Sequence, residues 1–341
     1  MERRSEVAVG IDLGGTKIAS ALVDGEDRIL FSRRRPTLRE RGPDAIIADV
    51  VEAIREAAAE SGGGPLPVGV AVCGQVARDS GVVRASPNLA GWHDVPFRSR
   101  LEDAVGYPVA VANDGNLIAL GEWRASPDPD RVLVAVYVGT GVGGGAVLDG
   151  RPYLGEGGYA AEIGHMTIVV DGRPCPCGNR GCLEAYAGGR AIAQLAREAV
   201  TTAPENGSAI LEEAGGPDDV SAEALARAYD RGDRLAGELV REIGKHLGAG
   251  LVGVANAFNP GHLVLGGGVI EGLPDLVDLA ADHLRAHALP AVVEQLEIRR
   301  TQPGLDAGVI GAATLARIEQ VRGASFPEAP ESTRRRTQKP G

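Results

Sequence analysis

Cysteine, methionine and aromatic residues are scarce in this 341-residue chain, and it carries no long apolar run. Four cysteines are too few for a secreted disulfide scaffold. Three of them, Cys175, Cys177 and Cys182, crowd into one stretch, so reduced thiols in a cytoplasmic protein are the expectation. Cys73 stands alone among apolar neighbours and reads as a small core residue. No segment approaches the roughly 18 apolar residues that a membrane span requires. Met-Glu-Arg-Arg leads into a strand-like stretch without a cleavable signal pattern. Positive charge is short too: 35 Lys and Arg face 46 Asp and Glu, for a net charge of −11. The body of the chain has no basic stripe, which argues against nucleic acid as a partner. The triplet Arg334-Arg335-Arg336 lies in a Pro-, Ser- and Thr-containing tail and reads as solvated charge.

Glycine is abundant, with 49 residues, and a hydrophobic fraction of 44% suffices for a packed core. The length suggests about two domains on a scale of roughly 100–200 residues each. One unit occurs twice. A strand at 7–12 is followed by Leu-Gly-Gly-Thr-Lys and a strand at 18–23; a strand at 132–138 is followed by the glycine-threonine run 139–145 and a strand at 146–148. Such repetition predicts two related α/β halves with a cleft between them. Helical stretches at 43–60, 97–105, 116–124, 189–202, 221–257 and 307–320 alternate with strands at 66–72, 107–112 and 262–265, the pattern of an α/β protein. The expected division is an N-terminal α/β domain over 1–113, completed by a C-terminal helix at 306–322, and a larger domain over 114–305. A disordered tail is expected over 323–341.

Residues 139–144 satisfy Gly-x-Gly-x-x-Gly literally, but the dinucleotide fingerprint must lead from a strand into a helix. Here a strand and turn follow, so the oxidoreductase reading fails, and no Gly-Lys-Ser/Thr P-loop is present either. What remains is a pair of glycine-rich hairpins whose backbone N–H groups and threonine hydroxyls can face phosphate oxygens. The candidate contacts are Asp12, Gly14, Gly15, Thr16, Lys17, Gly139, Thr140, Gly141, Gly143 and Gly144. Asp12 suits Mg²⁺, directly or through water. Lys17 reads either as a phosphate contact or as a solvated lysine.

His165 is followed by Cys-x-Cys-x4-Cys at 175, 177 and 182, with Glu162 and Glu184 at the edges of the run. One imidazole and three thiolates form a standard tetrahedral zinc set; four protein ligands leave no open position, so such a zinc is structural. Asn113-Asp114-Gly115 follows a strand and precedes a helix. Open α/β sheets bind ligands at that end of a strand, although the same residues also read as a plain turn with a helix N-cap.

These stretches, with Ser86-Pro-Asn-Leu-Ala-Gly-Trp92, run in one order over about residues 6–320 and resemble the ROK sugar kinases, most of all the bacterial glucokinases. The resemblance implies a two-domain actin/hexokinase-like (ribonuclease H-like) fold, with ATP and sugar meeting in the interdomain cleft. It implies Asp114 as the base that accepts the proton of a hexose hydroxyl, O6 of glucose first. Asn88, Asn113, Glu162, His165 and Glu184 are implied as sugar contacts, with the Gly74 backbone beside them. Gly266, Gly267 and Gly268 are implied neighbours of the adenosine, and His165, Cys175, Cys177 and Cys182 the zinc ligands. ATP, Mg²⁺ and structural Zn²⁺ are the implied cofactors, a hexose the implied substrate, and a homodimer or homotetramer the implied assembly. Trp92 reads as packing. Gln75 stands where many relatives carry proline or arginine, and Gly115 where alanine is commoner. N-acetylmannosamine, N-acetylglucosamine, fructose and allose therefore stay open beside glucose. The family's repressors are the non-enzyme alternative; a first strand near Val7 leaves no room for their helix-turn-helix. Removal of zinc is expected to harm sugar affinity and local folding while sparing the distant nucleotide loops.

Overall fold

A computed structural model describes residues 7–62, 65–126, 131–202, 207–302 and 306–321. The tail expected at 323–341 lies outside the described residues. In the first sheet β1 (Ala8–Leu13) pairs antiparallel with β2 (Lys17–Val23), which pairs antiparallel with β3 (Ile29–Pro36), while β4 (Val68–Val72) runs parallel to β1 on its other side. A small sheet of β5 (Gln75–Val76), β6 (Val83–Ala85) and β7 (His93–Val95) follows. β8 (Val109–Asn113) then returns parallel to β4, so the first sheet reads β3-β2-β1-β4-β8. The second sheet contains β9 (Val132–Val138), β10 (Val142–Leu148), β11 (Arg151–Pro152), β12 (His262–Gly266) and β13 (Glu297–Arg300), in the order β11-β10-β9-β12-β13. Strand for strand its pairing directions repeat those of the first sheet. The repeated hairpin in the sequence is therefore the visible part of a repeated sheet.

Residue size alternates along the central strands of the first sheet. Val9, Ile11 and Leu13 of β1, Val68, Val70 and Val72 of β4, and Val109 and Val111 of β8 share one buried cluster with Ile46, Val50 and Ile54 of α1 (Gly42–Ala59). Buried there too is Trp92, packed edge-on against Phe97 at the start of α2 (Phe97–Val105), with ring centroids 5.0 Å apart. The intervening residues, Ala8, Gly10, Gly69, Ala71, Ala110 and Ala112, are small. They form the face against which α3 (Asp114–Arg124) and the C-terminal helix Ala307–Val321 lie. A Cβ on Gly10 would overlap the Val309 carbonyl oxygen, and one on Gly69 the Ala312 carbonyl oxygen. Burial on both faces explains why these strands read as nearly continuous apolar runs.

The second sheet is covered by α4 (Glu184–Ala187), α5 (Gly189–Thr202), α6 (Ser208–Ala214), α7 (Ala222–Asp230), α8 (Arg234–Phe258), α9 (Gly268–Gly272), α10 (Asp275–His287) and α11 (Pro290–Val293); the C-terminal helix is α12. The stretch expected as helix-rich over 221–257 is two helices, α8 restarting at Asp233, whose carboxylate accepts the Ala236 N–H at 2.8 Å. Two sequence readings change. β10 begins at Val142, so Gly143, Gly144 and Gly145 lie in a strand instead of a loop, and α3 begins at Asp114, two residues early. β3, β5, β6, β7, β11, β13, α4, α6, α9, α10 and α11 had no expected counterpart.

The small-residue face makes a direct prediction. Gly69→Ala forces α12 away from the sheet because the obstacle is backbone, and overpacking of this kind costs about 1–3 kcal/mol. Gly143→Ala meets nothing within 4 Å. Thermal unfolding should show a clear fall in Tm for the first and almost none for the second; equal Tm values would overturn the packing account.

Candidate active site

Asp114 opens α3 directly from the end of β8. Asn113 is the helix N-cap: its Oδ1 accepts the Asn116 N–H at 3.3 Å. Its Nδ2 donates to the Gly74 carbonyl and to Asp114 Oδ1, each at 3.0 Å, and the Gly115 N–H donates to the same Oδ1 at 2.9 Å. The turn-and-cap reading is thus correct, and it is also what orients the carboxylate. Gly74 sits at φ +151°, where a Cβ would lie 2.6 Å from the Ala85 carbonyl oxygen. Burial pushes the Asp114 carboxyl upward against these hydrogen bonds, which pull it down. The first turn of α3 presses on β10. A Cβ on Gly115 would come 2.6 Å from the Gly144 carbonyl oxygen, and one on Gly145 would overlap that of Gly115. The approach leaves no room for a Cβ at 115.

On the opposite side, Ile163–His165 forms a short 3-10 turn leading into the cysteine loop, and α4 leaves it. The ligand atoms of His165, Cys175, Cys177 and Cys182 all lie within 4.8 Å of one another. Cys175 Sγ is 3.7 Å from His165 Nδ1, and Cys177 Sγ is 3.7 Å from Cys182 Sγ. Zinc–sulfur bonds of about 2.3 Å in a tetrahedron put sulfurs at about this separation, so the donor set fits structural zinc. Bridges pairing Thr167 with Cys182 and Pro174 with Arg180 close the loop on itself. Glu162 is exposed by surface area, yet surrounding protein raises its carboxyl; His165 pulls it down, while the charges of Asp114 and Glu184 raise it further. Glu184 is half-buried, and its Oε2 accepts the Val142 N–H at 2.8 Å. The expectation that the nucleotide loops are distant from the metal loop therefore fails for the second hairpin. Glu184 stands two residues after Cys182 and bonds to it directly.

The two hairpin turns are tied back in the same way. In the first, Thr37 Oγ1 donates to the Gly14 carbonyl at 2.8 Å and the Thr37 N–H to the Thr16 carbonyl at 2.9 Å. In the second, the Gly189 N–H donates to the Gly139 carbonyl at 2.8 Å and the Arg190 N–H to the Thr140 carbonyl at 3.1 Å. With their carbonyls turned outward, such turns offer N–H groups to an anion. Asn88, exposed, lies on the first turn, where a Cβ on Gly15 would be 2.8 Å from its own Cβ. Gln75 is exposed in β5, next to Gly74. Asp12, half-buried at the end of β1, has its carboxyl raised to about 7, first by burial and then by the charge of Asp114, with Lys17 opposing and Asp306 adding. Crowded carboxylates of this kind suit a hard cation such as Mg²⁺.

Asp12, Lys17 and Gly267 line one large cavity of about 1340 Å³. Gly139, Thr140 and Gly268 line another of about 710 Å³ with Gln194, Arg197 and Leu273. Six of the proposed nucleotide residues thus divide between two cavities, with Gly267 on one and its neighbour Gly268 on the other. Gly144 is buried under Ile163, and Gly266 is buried in β12 beside Thr301. Both are glycine because packing leaves no space. Sequence reading missed Asp306 and Gly308, whose missing Cβ accommodates Asp12 Oδ2, and the buried Glu122, 3.3 Å from Arg299. None of these carries a local motif; only the placement of α12 and β13 brings them to the cavity wall.

Comparison with known proteins agrees with the geometry. The family model described as ROK family matches residues 8–319. A glucokinase of Halalkalibacterium halodurans is 35% identical over 317 residues, 92% of this chain and 95% of that protein. An N-acetylmannosamine kinase of Salmonella agona is 37% identical over 193 residues, 56% of this chain and 64% of its own. Among solved structures, a ROK hexokinase from Thermus thermophilus has a TM-score of 0.79 at 35% identity, covering 93% of this chain and 100% of that one. A ROK family glucokinase from Streptomyces griseus in complex with glucose and AMPPNP has a TM-score of 0.71 at 33% identity, covering 92% and 99%. The chain belongs to the ROK family, on the actin/hexokinase-like α/β fold expected of it.

Proposed function

We propose that this protein transfers the γ-phosphoryl group of ATP to O6 of a hexose, glucose first, with Asp114 accepting the hydroxyl proton. One observation carries the reading: Asp114 is fixed at the end of β8 by Asn113 and the Gly115 N–H, close enough to Asp12, at the first hairpin, and to Glu162, beside the metal loop, for its charge to raise both carboxyls. Asp114 thus stands between a phosphate-facing set and a hydroxyl-facing set. The O6–phosphorus bond forms as the bond from phosphorus to the ADP oxygen breaks, and the proton passes to Asp114. Asn113 and the Gly115 N–H both donate to Oδ1, so Oδ2 is the oxygen proposed to receive it. A raised carboxyl is a stronger base than a solvated aspartate, and phosphoryl transfer otherwise demands mainly positioning.

Asn88, Glu162, His165 and Glu184 are the proposed sugar contacts, with Gly74 supplying backbone. Asn113 spends both amide hydrogens on Gly74 and Asp114, which leaves it only Oδ1 to offer a hydroxyl. His165 directs Nδ1 to the cysteine set, leaving Nε2 for a sugar hydroxyl. The turn N–H groups, Thr16, Lys17 and Thr140 hold phosphates, and the cavity beside Gly268 takes the adenosine. Mg²⁺, held through Asp12, would neutralise charge on the phosphates. Zinc on His165, Cys175, Cys177 and Cys182 would hold Glu162 and Glu184 on one wall. The same proposal includes a cytoplasmic homodimer or homotetramer, and a first domain of residues 1–113 that α12 completes by lying on its small-residue face. Among the described residues no helix is long and apolar enough to cross a membrane.

A panel of glucose, N-acetylmannosamine, N-acetylglucosamine, fructose and allose in an ADP-release assay tests the substrate. Glucose among the poorest would sink that assignment. Asp114→Asn is expected to lower kcat roughly 10²–10⁴-fold while glucose affinity changes little. Turnover at the wild-type rate would overturn the role of Asp114.

Asp12 also gives a pH signature. Folded Asp12 keeps its proton to about pH 7, whereas an unfolded aspartate releases it near 3.8. Between those values the folded state binds more protons, so the protein free of Mg²⁺ and nucleotide loses stability as pH rises, and no more above about 7. Asp12→Asn lacks this loss. Its Tm should exceed that of wild type at pH 8 and match it near pH 4; equal values at pH 8 would exclude the buried-charge account.

Stripping zinc with a chelator should lower Tm and sugar affinity together, because the metal loop carries both glutamates. A zinc-free protein that binds sugar normally would remove zinc from the site.

A further inference from the structure

We infer that Glu184 is a positioning residue for the nucleotide turn as well as a sugar contact, so that one carboxylate couples the two substrate sites. The inference rests on the function proposed above. Residues 184–190 hold the turn 139–142 along its length. Glu184 Oε2 accepts the Val142 N–H at 2.8 Å, the Gly189 N–H takes the Gly139 carbonyl at 2.8 Å, and the Arg190 N–H takes the Thr140 carbonyl at 3.1 Å. Gly139 N–H closes the turn on the Gly141 carbonyl at 2.9 Å. All three turn carbonyls are thereby engaged. The N–H groups of Thr140 and Gly141 have no partner among the described residues, which suits them to a phosphate.

Gly141 must be bare for this arrangement. Any Cβ there would overlap Glu184 Oε2, and a Cβ on Gly188 would lie 3.2 Å from Gly141 Cα. The carboxylate therefore fills the space that a side chain at 141 would otherwise occupy. Its second oxygen remains for a sugar hydroxyl. A sugar that draws the carboxylate toward itself moves the acceptor of the Val142 N–H, and a nucleotide that orders the turn fixes the carboxylate for the sugar. Coupling of this kind is reciprocal in binding free energy. Glu162, on the other edge of the metal loop, has no described bond to the turn.

Calorimetric titration with Mg·ADP in the absence of sugar separates the two roles. Loss of one hydrogen bond to a charged acceptor predicts ADP binding about ten- to hundredfold weaker in Glu184→Ala. Glu162→Ala should keep ADP affinity within about twofold. Glu184→Gln, whose amide oxygen can still accept the Val142 N–H, should restore ADP affinity while leaving glucose binding impaired. Gly141→Ala displaces the carboxylate and should weaken glucose binding measured without nucleotide. It carries the test alone if Glu184→Ala does not fold, and zinc content and Tm of each variant report folding. Unchanged ADP affinity in Glu184→Ala, or unchanged glucose affinity in Gly141→Ala, overturns the coupling and leaves the proposed kinase intact. Failure of the wild-type protein to bind ADP at all overturns the kinase reading itself.

Discussion

Backbone pressed on backbone at the first turn of α3 is the contact on which the site depends. Gly115 and Gly145 leave no Cβ between helix and strand, so α3, which continues the first sheet through β8, rests directly on β10 of the second, against the Gly144 carbonyl. Asp114 is the first residue of that helix. Its carboxylate therefore inherits its position from a steric contact between the two halves, and Asn113 fixes only its rotation. The same device recurs where α12 meets Gly10 and Gly69. Small residues here are a requirement of approach, and Gly10, Gly69, Gly115 and Gly145 are expensive to enlarge because the neighbour is a carbonyl that cannot rotate away.

Electrostatics then follows from geometry. Bringing the ends of β1 and β8 beside the metal loop places Asp114 within the influence of both Asp12 and Glu162, and Glu184 within that of Glu162. Burial and like charge raise Asp12 and Glu162, and burial raises Asp114. A folded protein tolerates that repulsion where cations or hydroxyl donors arrive to relieve it, as expected of ligand sites. Glu184 differs from Glu162 in having one oxygen already committed to Val142, and so it belongs to both walls of the cleft.

Several elements were legible because their signals are local. Hairpin turns, the N-cap at Asn113 and the His/Cys spacing all depend on residues close in sequence, and the strands of the first sheet show as apolar runs. β3 escaped notice because its residues Ile29–Pro36 are largely exposed, with Arg33, Arg34 and Arg35 turned to Glu56, Asp306 and Glu52. Gly143, Gly144 and Gly145 read as loop because glycine signals a turn as readily as a close approach. Only the partner, here α3 and Ile163, tells the two apart.

By itself the sequence determined the repeated α/β plan, the two glycine-rich hairpin turns, the His/Cys cluster and the aspartate at a strand end, because each is written in spacing and residue type. The three-dimensional packing alone decided which glycines face open space and which face a carbonyl. It also decided that Asp12 is crowded by Asp306, and that Glu184 reaches the second hairpin. Those outcomes depend on distances between segments tens to hundreds of residues apart, and such distances are set by how closely two backbones can approach, which no local pattern encodes.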